Sequence, residues 1–112
     1  MKARMTGLMV LFLFGTLTLS AQKTAESFKV NGNCDMCKVR IEKAAKSVEG
    51  VLSASWNMRS KMAEVEYDST MTDLSKIQMA IADAGHDTEM HKADDEAYNK
   101  LPACCKYKRK KE

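Results

Sequence analysis

Apolar and polar residues alternate in Phe28-Lys29-Val30-Asn31, the two-residue period of a strand with one buried face. A strand is therefore expected from residue 26 or 27 to 31, after a polar, mobile lead-in over 22–26. Gly32 and Asn33 break the alternation, as a loop does. The period then changes. Ile41, Ala44, Ala45 and Val48 recur at three- and four-residue spacing, the apolar stripe of a helix expected from residue 37 or 38 to 48. Glu49-Gly50 ends it, since glycine accepts the left-handed dihedrals of a helix C-terminus. Residues 51–57 read as a second strand, with either Leu52, Ala54 and Trp56 or Val51 and Ser53 inward; Trp56 is read as core. Met58-Arg59-Ser60 turns the chain. In 61–67 the alternation is plain: Ala63, Val65 and Tyr67 share one face, Glu64 and Glu66 the other.

Asp68-Ser69-Thr70 is a loop, and Thr72 or Asp73 is placed to cap a second helix carrying Leu74, Ile77, Ile81 and Ala84 on one face. Gly85 stops that helix. A short fourth strand is expected within 86–91, then a helical turn over 94–101 that Pro102 breaks. The order is strand, helix, strand, strand, helix, strand. The short link between the second and third strands makes them an antiparallel hairpin. The fold class that follows is α+β: a ferredoxin-like βαββαβ sandwich, an antiparallel sheet with both helices on one face. About 70 residues take part, so the core is thin and the stability modest.

The first 21 residues stand apart. Lys2 and Arg4 precede the run Leu8-Met9-Val10-Leu11-Phe12-Leu13-Phe14, and Ser20-Ala21 close it. A basic start, a short apolar core and a small-residue end predict a secretory signal peptide over 1–21. Gly15, Thr16 and Thr18 interrupt the run, which falls short of the ~20 apolar residues of a spanning helix. Export is the expected fate, to the periplasm if the source is a Gram-negative bacterium.

Charge is unevenly spread. The formal net charge is +3, but without Lys2 and Arg4 there remain 16 basic against 15 acidic residues, and five of the basic ones (Lys106, Lys108, Arg109, Lys110, Lys111) fall in the last seven positions. The body is mildly acidic and the end is basic. Only Tyr107 interrupts that basic run, so nucleic-acid binding is not expected. The basic run that ends the Cys-Cys-containing tail (92–112) reads instead as solvated and disordered, with any membrane contact limited to its basic residues.

Chemistry concentrates in Cys34-Asp35-Met36-Cys37, between the first strand and the first helix. Cys34 falls in the loop and Cys37 in the first helical turn, where unpaired N–H groups and the positive dipole end favour thiolate over thiol. Thiolates bind soft or borderline ions such as Cu(I), Zn(II) or Hg(II) in preference to hard ones, and they also attack disulfides. A metal site and a thiol–disulfide redox pair are thus the two readings; a plain disulfide is the bland one. The remaining cysteines, Cys104 and Cys105, could be further ligands, disulfide partners or spare thiols. Met36 reads as loop packing; Met58, Met62 and Met79 read as filler rather than a methionine-rich copper site. No carboxylate pair, Ser-His-Asp order or phosphate loop points to an enzyme.

The stretch Val30-Asn31-Gly32-Asn33-Cys34-Asp35-Met36-Cys37-Lys38-Val39-Arg40-Ile41-Glu42, with Gly50-Val51, Val65-Glu66-Tyr67-Asp68 and Ala84-Gly85-His86-Asp87, resembles the heavy-metal-associated domain over about residues 27–91. That family includes copper chaperones, the N-terminal domains of copper-exporting pumps and the periplasmic mercury-binding protein. The resemblance implies a non-enzymatic metallochaperone or scavenger that carries a soft ion, Cu(I) first, on Cys34 and Cys37. It exchanges the ion with a metal-transporting pump or another thiol carrier. A mercury-binding protein is the alternative within the family, and a monomer is expected, with a metal-bridged dimer the other option. His86 falls where some members present a third ligand, although a solvent-exposed loop histidine is the expectation here. Two departures stand out. The family commonly has Met-Thr before the first cysteine, the Met buried beneath the metal loop; Gly32-Asn33 stand there, which predicts a more mobile loop. Cys104 and Cys105 lie beyond the family domain.

Overall fold

The computed structural model describes residues 22–109, so the signal-peptide reading of 1–21, and Lys110 and Lys111 of the basic run, lie outside the described residues. Strands β1 (Lys23–Lys29), β2 (Val51–Trp56) and β3 (Met62–Asp68) form an antiparallel sheet of order β1-β3-β2. The first strand begins inside the segment that composition marks as a mobile lead-in. Pairing overrides composition there: Lys23 lies opposite Asp68 and Thr24 opposite Tyr67, so the ladder runs the whole length of β3. Ser69 N–H adds a bond to Gln22 O at 2.8 Å.

Helices α1 (Asp35–Lys46) and α2 (Leu74–Asp83) cover one face of this sheet. Ile41 and Ala45 from α1 and Ile77 and Ile81 from α2 join Phe28, Trp56, Ala63, Val65 and Tyr67 in a single buried cluster. On the other face, Ala25, Ser27, Ser53, Ser55 and Glu64 are open to solvent. Neither inward set expected for β2 holds along its whole length. A register shift between Val51 and Ser53 changes the phase, so Ala54 and Trp56 turn in at one end, Val51 packs on the core at the other, and Leu52 is left 55% exposed. Asp73 is the cap of α2, its Oδ1 accepting the Lys76 N–H at 2.9 Å.

The fourth strand expected in 86–91 shrinks to one bridge, Val30 opposite Thr88. The chain turns back at once: Thr88 N–H reaches His91 O at 2.8 Å, the Thr88 hydroxyl accepts the His91 N–H at 3.0 Å, and Gln78 Oε1 takes the Met90 N–H at 2.9 Å. Backbone groups bound in a turn cannot extend a ladder.

Nor is the tail a solvated, disordered segment as far as it is described. Helix α3 (Asp95–Asn99), capped by Asp94, and a 3-10 turn (Ala103–Cys105) form an arm that lies back on the domain. Leu101, Cys105 and Tyr107 are each at most 4% exposed. The Tyr107 hydroxyl donates to Gly85 O at 2.8 Å and accepts the Asp87 N–H at 2.9 Å. Arg109 grips the Asp87 carboxylate through Nη2 at 2.9 Å and Nε at 3.1 Å, and its guanidinium lies 4.8 Å over the Tyr98 ring. Gly85, at φ +109°, makes room for this arm: a Cβ there would come within 2.8 Å of Leu101 Cδ2. One residue of the basic run is thus a specific anchor rather than a solvated charge.

Candidate metal centre

Cys34 is the N-cap of α1, in extended conformation (φ −138°, ψ 179°), and its side chain makes no capping bond. The first-turn N–H groups of the helix are therefore left free of a conventional oxygen cap, and the Cys34 sulfur lies beside them. Asp35 at the start and Lys43 and Lys46 at the end match the helix dipole. Cys37, one turn in, is fully buried, and its Sγ accepts the Asn33 N–H at 3.2 Å.

The loop before Cys34 is held rather than mobile. Trp56 lies beneath it: a Cβ on Gly32 would stand 3.1 Å from the indole and 3.1 Å from Cys37 Cβ. The indole N–H donates to Val30 O at 3.1 Å, Lys61 Nζ donates to Gly32 O at 2.7 Å, and Asn31 N–H bonds Asp87 O at 2.9 Å. A tryptophan from β2 thus occupies the space under the loop, and Gly32 is what lets it approach.

All the sequence-nominated donors converge. Sγ of Cys34 lies 3.6 Å from that of Cys37, 2.8 Å from that of Cys104 and 3.8 Å from that of Cys105. The donor atoms of Cys34, Cys104 and Cys105 all lie within 4.8 Å of one another, as do those of Cys37, His86 and Cys105. All four cysteines are free thiols. Cys104 is exposed, Cys34 is half-buried, and Cys37 and Cys105 are enclosed.

His86 is fully buried, contrary to the expected exposed loop position, because the arm covers it: the Tyr107 ring stacks on the imidazole with centroids 5.7 Å apart. Burial, helped by the nearby Arg40 charge, pushes its pKa below the usual value, so the ring is neutral at pH 7. Nδ1 faces Asn31 O at 2.9 Å and so must carry the proton. The lone pair is then on Nε2, which is buried and without a hydrogen-bond partner.

The thiols differ in acidity. The Cys104 thiol, donating to Cys34, brings the Cys34 pKa from 9.0 down to about 7, with backbone and side-chain contacts from Cys37 helping. The same contact pushes Cys104 up, and burial pushes Cys105 up furthest. Cys34 is thus the reactive thiolate and Cys105 the protected thiol. Sulfur and neutral imidazole, with no carboxylate among them, favour soft ions over Mg²⁺ or Ca²⁺.

The other sulfurs fall elsewhere. Met36 is 51% exposed rather than packed into the loop, and its Sδ lies 3.6 Å from the Cys104 Sγ. Met58 and Met79 lie on the surface. His91 bonds the Ser75 hydroxyl at 3.0 Å, away from the cysteines. Sequence reasoning overlooked Tyr107, which closes the site over His86; its one visible signal is the apolar alternation Cys105-Lys106-Tyr107 within the basic run.

A family model described as "Heavy-metal-associated domain" matches residues 27–87. A curated relative, "Copper chaperone CopZ" of Staphylococcus aureus, is 35% identical over 63 residues, which cover 55% of this chain and 93% of the relative. Among solved structures, oxidized MerP from Ralstonia metallidurans CH34 superimposes with a TM-score of 0.57 at 29% identity, covering 60% of this chain and 94% of that one. The Cu(I)-loaded N-terminal domain of a potential copper-translocating P-type ATPase from Bacillus subtilis gives a TM-score of 0.56 at 28% identity, with 60% and 85% covered. Cys34, Cys37 and His86 lie inside the family match; Cys104, Cys105 and the rest of the arm lie outside it.

Proposed function

The chain belongs to the heavy-metal-associated domain family, and from that premise we propose that it binds a soft metal ion, Cu(I) first, on Cys34 and Cys37 and passes it to another thiol site. It is a carrier, not an enzyme, as is its family of metal carriers. The observation that carries the reading is the pair of sulfurs 3.6 Å apart at the open N-terminus of α1, one a low-pKa half-exposed thiolate and the other buried beneath the loop. Such a pair holds a thiophilic ion, and the side of Cys34 on which Cys104 and Cys105 now stand is the side an incoming ligand would take.

Transfer then proceeds by ligand exchange. A thiolate of the acceptor bonds to the ion beside Cys34 and Cys37, the Cys34–metal bond breaks, and Cys34 leaves as a thiolate that the solvent can protonate. Cys37 follows in the same way. No electron changes hands, and the ion keeps its oxidation state throughout. The acceptor that fits is the thiol-bearing domain of a metal-transporting pump, supported by the likeness to the Bacillus subtilis ATPase domain. The likeness to MerP supports Hg(II) as the second cargo, since mercury is bound by the same soft sulfurs. Zn(II), borderline in softness, ranks below both. The working form is a monomer that meets its acceptor face to face.

The apolar run between Lys2 and Ser20 supports export, with Gln22 as the mature N-terminus; N-terminal sequencing of protein recovered from outside the cytoplasm tests this, and an intact Met1 would refute it.

Competition between the reduced protein and a chromophoric Cu(I) chelator tests the carrier reading, with Cys34→Ser/Cys37→Ser as control. Tight binding in the wild type that falls by at least a hundredfold in the control is expected. Equal, weak binding in both proteins, together with disulfide reductase activity in the wild type, would replace the carrier by a redox protein.

A further inference from the structure

We propose that the arm over residues 92–109 turns the two-thiol carrier site into an enclosed two-ion site, in which Cys34, Cys104 and Cys105 hold one Cu(I), Cys37, His86 and Cys105 hold a second, and the Cys105 sulfur bridges them. This rests on the carrier reading and extends it, because the arm lies outside the part of the chain that the family shares.

Three observations carry it. The first is the grouping of donors: the two triads share one member, Cys105, and that member is fully buried between them. The second is spacing. With metal–sulfur bonds of about 2.3 Å, the zinc–thiolate value, donors around a three-coordinate ion stand about 4 Å apart, whereas two donors in line stand about 4.6 Å apart. Within the first triad, the Cys34–Cys105 separation of 3.8 Å fits the compact arrangement. The 2.8 Å between Cys34 and Cys104 must open, and exposed Cys104 is free to swing out.

The third observation is His86. Its Nε2 carries a buried lone pair with no partner, an arrangement that is unfavourable until a ligand or donor satisfies it. Nδ1–H···O bonding to Asn31 fixes the tautomer that leaves Nε2 free to ligate, the usual second-sphere device for a metal-binding histidine. One tetrahedral ion on the four sulfurs would leave this nitrogen orphaned. Two three-coordinate ions sharing one sulfur use all five donors and leave none over. Loading releases to solvent the proton of each cysteine that is still a thiol, forms six metal–ligand bonds and transfers no electron.

The consequence is functional. With the arm down, Cys104 and Cys105 stand where an acceptor's thiols would approach Cys34, so the enclosed form stores copper and the form with the arm lifted delivers it.

The test is Cu(I) stoichiometry and copper X-ray absorption on the reduced protein, with analytical ultracentrifugation of the loaded form. Two ions per monomer with a copper–copper vector, falling to one ion and no such vector in Cys105→Ser and Cys105→Ala, is the expected result. A single ion per wild-type chain overturns the proposal, whether Cys105→Ala weakens it, which would mean one four-sulfur site, or leaves it unchanged, which would mean an arm without ligands. Two ions held only in a dimer, with Cys105→Ala behaving as wild type, overturns it as well. In each of those cases the carrier reading stands; absence of tight copper binding altogether would remove both.

Discussion

Tyr107 is the point on which the closed arm turns, and its hydroxyl can be deleted with little loss of volume. The single oxygen serves two partners, donating to Gly85 O at 2.8 Å and accepting the Asp87 N–H at 2.9 Å. Both bonds are buried, and Tyr107 itself is 3% exposed, so Tyr107→Phe leaves one carbonyl and one N–H without partners. Each such group costs about 1–3 kcal/mol, which puts the loss for the two at about 2–6 kcal/mol. That loss falls on the docking of the arm rather than on the sheet and helices, since the affected bonds join the arm to the segment after α2. At about 1.4 kcal/mol per factor of ten, the open form gains roughly 30- to 20,000-fold in population. Cys105 reports it: it is fully buried with its pKa raised by burial, so it reacts with an alkylating agent only when the arm lifts. Mass-spectrometric timing of iodoacetamide labelling on the metal-free protein should show Cys105 accelerated within that range. Amide exchange over 101–107 should accelerate alongside it, while exchange in β3 changes little. Unchanged Cys105 labelling and exchange in Tyr107→Phe would refute the idea that these two bonds latch the arm.

Two further outcomes follow from the ionisable groups. Cys34, with its pKa lowered to about 7 by the Cys104 thiol, should alkylate at a rate that rises as pH passes through about 7 and levels above it. Cys104→Ala should move that midpoint up towards the ordinary thiol value, and an unmoved midpoint would clear Cys104 as the cause. His86 binds its proton more weakly in the folded than in the unfolded chain, where its pKa is near 6.5. The unfolded state therefore takes up more proton as pH falls through 6.5, and stability drops. Urea midpoints of the metal-free protein at pH 7.5 and 5.5 should differ more for wild type than for His86→Gln, and equal differences would count against a buried neutral imidazole.

Local pattern sufficed for most of the scaffold. Ala63, Val65 and Tyr67 lie inward as their two-residue spacing requires, Ile41, Ala45, Ile77 and Ile81 face the sheet, and Asp73 caps its helix, because each of these depends on residues a few positions away. Cys34 and Cys37 were also legible, since a loop pair opening a helix is a property of adjacent residues. The bulge that splits the inward face of β2 was not, because register is set by the partner strand. The shrinking of the fourth strand to one bridge depended on Gln78, twelve residues upstream of Met90, capturing the Met90 N–H.

The arm shows the division most sharply. A run of lysine and arginine at a chain end has the composition of a solvated tail, nothing within it distinguishes Arg109 from its basic neighbours, and Tyr107 shows only as a break in the run. What fixes them is Asp87 and Gly85, some twenty residues earlier, whose carboxylate and carbonyl become available only once α2 has packed and the chain has turned at Gly85. The sequence by itself determined the donor chemistry: four thiols and an imidazole, two of the thiols at a helix start. The tertiary structure decided that Cys104 and Cys105, some seventy residues from Cys34, would meet it, and that His86 would be sealed beneath Tyr107 with its lone pair unspent. Contacts over that separation leave no periodic trace in a sequence, because they are set by how the packed elements fall together in space.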